Sequence, residues 1–376
     1  MELFQDKKVA IVHDWLVTYA GADRVVDQLH HMFPNAPIYT LVYRADRMPE
    51  RFKGYDIRTT YLQKIPLATK LYKNMLTLMP GAFERLDLSE FDVVISSCSS
   101  CSKGVITRPD AVHICYCHTP TRYVWDFYHT YLGSSGWLKR MLMPGMIHKM
   151  RIWDRLAADR VDYFIANSKY IARRIQKYYR RDAEVIYPGV HISEYDIVKA
   201  PDDYYLSVGR FAYYKRIDLA IAACNQLGKR LVIVGSGDKE KMLRAMAGPT
   251  ITFLGEVSDE EIKQLYLHAK AFVFPGEEDF GITPVEAQSA GCPVLAFGKG
   301  GALETVLEGE TGLFFPEQST ESVCECMEAF EANGVTYSRA RIREHSLEFS
   351  QERFQEEMAA YLARVVPCEL RGGIKE

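Results

Sequence analysis

The sequence predicts an α/β protein made of two doubly wound domains in tandem. Three observations predict it. The chain has 376 residues, and at roughly 100–200 residues per domain that length divides into two. Short apolar, β-branched runs alternate with amphipathic stretches of helical length, the rhythm of βαβ units around parallel sheets. The charge changes sign midway: residues 1–190 hold 27 Lys and Arg against 19 Asp and Glu, a net of +8, and the rest holds 19 against 30, a net of −11. The composition, 48% hydrophobic and 25% charged, is that of a soluble globular chain and excludes collagen-like, coiled-coil and disordered classes. No apolar run approaches the roughly 18 residues of a membrane span. The opening MELFQDKKVAIVHDW lacks the long apolar stretch of a secretory leader, so the cytoplasm is the expected compartment.

In chain order, Lys8–His13 reads as the first strand. Gly21–Met32 is a helix with Val25, Val26, Leu29 and Met32 at helical spacing. Pro37–Val42, Asp92–Ser96, His113–Cys117 and Tyr163–Ala166 are further strands, Ser168–Tyr179 is a helix capped by Ser168, and Glu184–Tyr187 is a strand ended by Pro188-Gly189. The second half repeats the pattern. Strands are expected at Tyr205–Val208, Arg230–Val234, Ile251–Leu254, Ala271–Phe274 and Val294–Phe297. Helices are expected at Arg216–Leu227, Lys239–Ala247, Asp259–Ala269 and Pro284–Ala290, with Ser258 and Glu261 spaced for a capping box. The strand cores are apolar, as strands covered on both faces require. Turn-rich Pro188–Asp203 is the expected boundary, which gives domains of 1–190 and 191–350 and a C-terminal segment of 351–376.

Nine cysteines in a cytosolic chain are expected to be reduced and mostly buried. Cys98-x-x-Cys101 with Cys115-x-Cys117 and His113 or His118 has the residue types of a zinc site, but a Cys-x-Cys pair within a strand lacks the knuckle turn that such a site needs. No Walker-type phosphate loop, nucleophile elbow or H-E-x-x-H motif is present, and Gly235-Ser-Gly237 is only a fragment of a dinucleotide motif. The string Gly276–Pro293, GEEDFGITPVEAQSAGCP, stands out. It follows a strand and enters a helix, so the N–H groups of Gly281, Ile282 and Thr283 lie at a helix N-terminus suited to a phosphate. Glu278 and Glu286 flank that turn, and two carboxylates can accept hydrogen bonds from vicinal sugar hydroxyls. Phosphate and hydroxyls together point to a nucleotide sugar.

With Glu278-x7-Glu286 before it, VEAQSAGCPVLAFGKGGALETVLEGETGLFF resembles the donor-binding region of retaining GT-B glycosyltransferases of family GT4. Arg210 and Lys215, in SVGRFAYYKRID, match that family's pair for the donor diphosphate, with Gly209 in the same loop. The resemblance covers nearly all of 200–320. HDWLVTYAGADRVVDQL resembles the family's first strand, Gly-rich loop and helix, although the family form Gly-Gly-Ala-Glu is here Ala20-Gly21-Ala22-Asp23. SSCSSCSKGV and CYCHTPTRYVWDFY are similar to segments of the bacterial mannosyltransferases of surface-polysaccharide assembly, where His118 matches a histidine beside the reacting sugar.

The resemblance implies a GT-B fold, two Rossmann-like domains facing a central cleft, with the C-terminal helix around Gln351–Val365 crossing back to the first domain. It implies metal-independent transfer with retention, most simply by front-face attack assisted by the diphosphate. His118, Arg210, Lys215 and Glu278 are its catalytic candidates, and Gly21, Gly209, Phe280, Gly281, Ile282, Thr283 and Glu286 its donor-binding ones. The expected donor is GDP-mannose, a substrate and not a cofactor. UDP- or dTDP-sugars, a phosphorylase-like reaction and a non-catalytic sugar-nucleotide-binding subunit are the alternatives. The expected acceptor is a glycan or polyprenyl-linked sugar, with no nucleic-acid partner. The basic half is expected to meet an anionic membrane surface through Trp137–Trp153, WLKRMLMPGMIHKMRIW, which Pro144-Gly145 would split into two short helices, and through Tyr61–Met79.

Overall fold

A computed structural model describes residues 7–126, 128, 137–192, 196–198, 200–332 and 337–366, the first few side chains of the 137–159 helix excepted. The chain forms two compact units. The first runs to Tyr187 and takes in the residues from Gln355 onward; the second is Pro188–Phe354.

The first unit is built on seven strands: β1 Val9–His13, β2 Ile38–Thr40, β3 Ile57–Thr59, β4 Val93–Cys98, β5 Val112–Cys117, β6 Tyr163–Ala166 and β7 Ala183–Val185. They form one sheet in the order β3-β2-β1-β4-β5-β6-β7, and every neighbouring pair is parallel. Every residue of β1, β4 and β5 is buried, which is why these strands are mostly apolar, with His13, Ser96, Ser97 and His113 as buried polar exceptions. The register sets His13 opposite Ser97 and Ser97 opposite Tyr116, so the carboxyl ends of β1, β4 and β5 are level. The chain builds outward from β1 to β3 and then returns to β4, and the switch point between β1 and β4 is where open α/β sheets bind ligands.

The second unit repeats the plan with β8 Tyr205–Val208, β9 Leu231–Val234, β10 Ile251–Gly255, β11 Ala271–Phe274, β12 Val294–Phe297 and β13 Gly312–Phe315. The order is β10-β9-β8-β11-β12-β13, with the switch point between β8 and β11. One face packs Leu219, Ile221, Ile233, Val273 and Leu295 together with Val323 and Met327. The other packs Leu206, Phe272, Val294 and Ala296 against Leu267 and Ala287. The caps are those the sequence announces: Ser168 accepts from the Ile171 N–H at 3.1 Å, and Ser258 and Glu261 close a reciprocal capping box.

Several elements depart from the sequence reading. Edge strands β3 and β13 were not expected. β3 is three residues that are nowhere fully buried, and β13 offers only three apolar residues after Gly312, an apolar run short enough to pass for loop. Helices Thr320–Ala332 and Arg339–Ser346 were also not expected. Pro144 does not split its segment: one helix runs Trp137–Asp159 with the proline inside it. A proline removes one hydrogen bond and strains a turn, but Ile147, Met150, Asp154, Ala157 and Ala158 of this helix are buried, and that packing holds the chain helical across the break. Tyr61–Met79 is not an amphipathic helix but a series of short turns, Tyr61–Lys64, Ala68–Leu71 and Tyr72–Asn74. Leu62, Ala68, Tyr72 and Met75 anchor it in the core. In the C-terminal helix Gln351–Val365, Arg364 pairs with Glu184 of the first unit at 3.1 Å.

Candidate active site

In the second unit the sequence-predicted residues gather at the switch point. Arg210 is exposed on the loop that leaves β8. Lys215 ends a short 3₁₀ turn on the same loop, Tyr213–Lys215, and its ammonium group forms an ion pair with Glu278 from the loop after β11, both side chains largely covered. The lysine lies across Gly209, where a Cβ would stand 3.8 Å from its side-chain atoms. Gly281, at φ +87°, turns the chain into helix Ile282–Ser289 and offers no side-chain cap, which leaves first-turn N–H groups for another acceptor. Thr283 Oγ1 in that turn is buried without a hydrogen-bond partner. Glu286 lies one turn further along the same helix. Phe280 is 3% exposed and packs edge-on against Phe349, so its ring braces the loop instead of facing a ligand.

Glycines let these loops close on one another. A Cβ on Gly235 would stand 2.0 Å from Gly209 O, and one on Gly301 would stand 2.3 Å from Phe280 Cα. The Gly301 N–H donates to Glu278 O at 2.8 Å. The GSG and KGG strings are therefore spacers that set the positions of the 209–211 and 278–280 backbones.

In the first unit Gly21 opens helix Gly21–Met32 at the end of the loop after β1. Asp23 reaches back to the Ala20 N–H at 2.8 Å, while Ala20 has no side-chain acceptor for the first turn. The shorter acid thus still closes half of a capping box. Asp14, 1% exposed, accepts four backbone N–H groups at 2.6–2.9 Å, those of Ser99, Ser100, Cys101 and Ser102, and so ties the loop after β4 to the end of β1.

His118 follows β5. Its N–H bonds Cys98 O at 2.8 Å and its carbonyl accepts from Asn167 at 3.0 Å. Its Nε2 is 2.8 Å from Ser97 Oγ, and Ser97 in turn contacts His13, which meets Asp23. Burial, reinforced by the neighbouring His13, lowers the His118 pKa to about 3, so the ring is neutral near pH 7. For His13, burial opposes charge, but the hydrogen bond and field of Asp23, the field of Asp14 and the Ser97 carbonyl outweigh it and raise the pKa. The sequence reading did not single out His13, Asp14, Ser97 or Asn167; HDW directly after the first strand was the available signal. Cys98, Cys101 and Cys115 are buried free thiols whose pKa burial pushes up, a setting that disfavours the thiolate a metal would need.

Two family models match in tandem. Residues 19–194 match Glycosyltransferase Family 4 and residues 196–348 match Glycosyl transferases group 1. The chain belongs to the GT4 glycosyltransferases. Its two parallel-sheet, Rossmann-like units are those of the GT-B fold. This GT4 protein is 28% identical over 325 residues to the human alpha-1,3/1,6-mannosyltransferase ALG2, spanning 74% of each chain. It is 31% identical over 153 residues to the O-antigen chain mannosyltransferase RfbU of Salmonella typhimurium, 38% of this chain and 43% of that one. Among solved structures, Anabaena Alr3699/HepE in complex with UDP-glucose is similar in fold, with a TM-score of 0.70 at 17% identity over 96% of this chain and 100% of the other.

Proposed function

We propose that this glycosyltransferase moves mannose from GDP-mannose, with retention and without a metal, onto a glycan or polyprenyl-linked sugar in bacterial polysaccharide synthesis. The observation that carries the reading is the constellation at the β8–β11 switch point: Lys215 against Glu278, beside a glycine-started helix without a side-chain cap. Departure of the diphosphate builds negative charge on its oxygens, and preorganised donors aimed there lower the barrier. Arg210 supplies a planar fork of donors and Lys215 a point charge. The first-turn N–H groups of Ile282 and Thr283 add the helix dipole. Glu278 accepts from a sugar hydroxyl, Glu286 from the ribose, and His118 contacts a hydroxyl of the donor or acceptor sugar. The mannosyltransferases among its relatives support the choice of sugar.

Donor choice is read by thermal shift. GDP-mannose is expected to raise Tm in proportion to the logarithm of its concentration above Kd, since a ligand that binds only the native state stabilises it by mass action. UDP-glucose and dTDP-rhamnose are expected to give smaller shifts. A larger shift with either reassigns the donor while leaving the transferase reading in place.

The membrane part of the proposal rests on exposed side chains of the first unit. Met141, Met146, Ile152 and Leu156 of helix Trp137–Asp159 are exposed, with Lys149 exposed on the same helix. Tyr61, Leu67, Leu71 and Leu78 are exposed, interspersed with exposed Lys64, Lys70 and Lys73. Apolar groups mixed with lysines suit an anionic bilayer surface, at about 1 kcal/mol for each nearby Lys or Arg. No helix among the described residues is long and apolar enough to cross a membrane. Co-sedimentation with liposomes is expected to rise with anionic lipid content and fall with salt; indifference to anionic vesicles at low salt contradicts this part.

A further inference from the structure

The histidine pair at the first switch point carries information about a proton. Nδ1 of His13 lies 3.1 Å from Ser97 O, and Nε2 lies 3.3 Å from Asp23 Oδ1. The Ser97 carbonyl has no hydrogen to give, so Nδ1 carries one, and the carboxylate oxygen beside Nε2 favours a second there, which makes the ring an imidazolium. The same Nδ1–H is 3.1 Å from Ser97 Oγ. An imidazolium has no lone pair, so the Ser97 hydroxyl cannot donate back to it. The hydroxyl's remaining neighbour is His118 Nε2, at 2.8 Å. Ser97 therefore donates to Nε2, which keeps its lone pair, and the single hydrogen of the neutral His118 ring sits on Nδ1. No partner for that Nδ1 occurs among the described residues. All three side chains are buried or nearly so: Ser97 0%, His13 3% and His118 9% exposed.

We infer that His13 is a positioning residue which, through Ser97, fixes His118 as the Nδ1–H tautomer and so makes it a hydrogen-bond donor toward a ligand oxygen instead of a general base. This rests on the reading of His118 as a contact of the reacting sugars. The groups facing His13 are Asp14 at the end of its own strand, Asp23 from helix Gly21–Met32, Ser97 from β4 and His118 after β5. The two carboxylates favour its charge. The pKa of His13 is raised by these groups over the opposition of burial, and as pH rises through it the lost proton releases Ser97 and with it the constraint on His118.

The test is the nitrogen NMR spectrum of the full chain with ¹⁵N-labelled histidine, with resonances assigned by their loss in His118→Asn and His13→Gln. The expected result near neutral pH is a proton-bearing Nδ1 and a bare Nε2 on His118, and two proton-bearing nitrogens on His13. A hydrogen on Nε2 of His118, or a neutral His13, overturns the inference. Ser97→Ala is expected to turn His118 into a mixture of tautomers and to lower kcat by up to about tenfold, the upper end for one neutral hydrogen bond; an unchanged His118 spectrum in that variant also overturns it. His118→Asn, which can present an N–H where Nδ1 stood, is expected to keep more activity than His118→Gln. If His118→Ala turns over like the unmodified enzyme, the catalytic reading of His118 fails, and the spectrum still decides the tautomer on its own.

Discussion

Replacing Lys215 with alanine is expected to lower kcat at saturating donor by about 10²–10³-fold, the loss measured when one donor to a developing oxyanion is removed. The lysine's ammonium is fixed before any ligand arrives, by Glu278, by the faces of Tyr214 and Phe274 and by the close backbone of Gly276, where a Cβ would stand 3.1 Å from Lys215 Cα. A charge held in place needs little reorganisation as the diphosphate leaves, and that is why its removal is expected to act on turnover more than on binding. Truncation leaves the largely covered Glu278 carboxylate without its cation, at a cost of about 1–3 kcal/mol in stability, which a melting curve separates from the loss of turnover. Steady-state kinetics together with a melting curve decide the matter. A near-normal kcat with a normal melt removes Lys215 from the catalytic set.

Asp154→Ala is expected to be the most damaging single change to stability, by about 3–5 kcal/mol. Asp154 is fully buried and accepts from four side chains: Lys103 at 2.5 Å, Thr121 at 2.7 Å, Trp125 at 2.8 Å and Tyr179 at 2.8 Å. Burial opposes charge on Lys103, but the field and hydrogen bond of Asp154 outweigh it and raise its pKa. Truncation therefore leaves a buried ammonium, the buried Tyr179 hydroxyl and the part-buried Trp125 N–H without their acceptor, while Thr121 can still donate to Ser100 O. The paired change Lys103→Met with Asp154→Leu should recover much of the loss, since an apolar pair of similar volume leaves no charge to solvate. Denaturant unfolding of the three proteins measures this. A loss below about 1 kcal/mol for Asp154→Ala would mean that water or a neighbouring group already compensates Lys103. The cluster joins the loop after β4, the HTP segment and helices Trp137–Asp159 and Lys169–Tyr179, so it also supports the turn that bears His118.

The parts legible in the sequence are those governed by local physics. Strands β1, β4, β5, β8, β9, β11 and β12 are apolar runs because sheets covered on both faces demand it, and Ser168 and Ser258 announced their helices through their own hydrogen bonds. Glu278 and Gly281 were legible because one loop after a strand carries them within a few residues of each other, whereas Lys215, on the separate loop after β8, was legible only through the resemblance of SVGRFAYYKRID. What escaped depends on tertiary contacts. Pro144 reads locally as a helix breaker, and only the buried face of its helix overrides that. Ile57–Thr59 becomes a strand because β2 offers it an edge. Phe280 reads as part of a ligand loop, while its ring is committed to Phe349. His13 meets Ser97, and Asp14 the loop that follows it, across some 85 residues of sequence through strand register, which no local motif encodes.

The measurement that tests the central claim most directly is proton NMR of the anomeric signals during turnover with GDP-mannose in the presence of EDTA. If Arg210, Lys215 and the helix N-termini carry the leaving diphosphate, transfer continues at an undiminished rate, and the new linkage has the same α configuration as the donor from its first appearance. A β-linked product, or transfer that stops in EDTA and returns only with added Mg²⁺ or Mn²⁺, would contradict it.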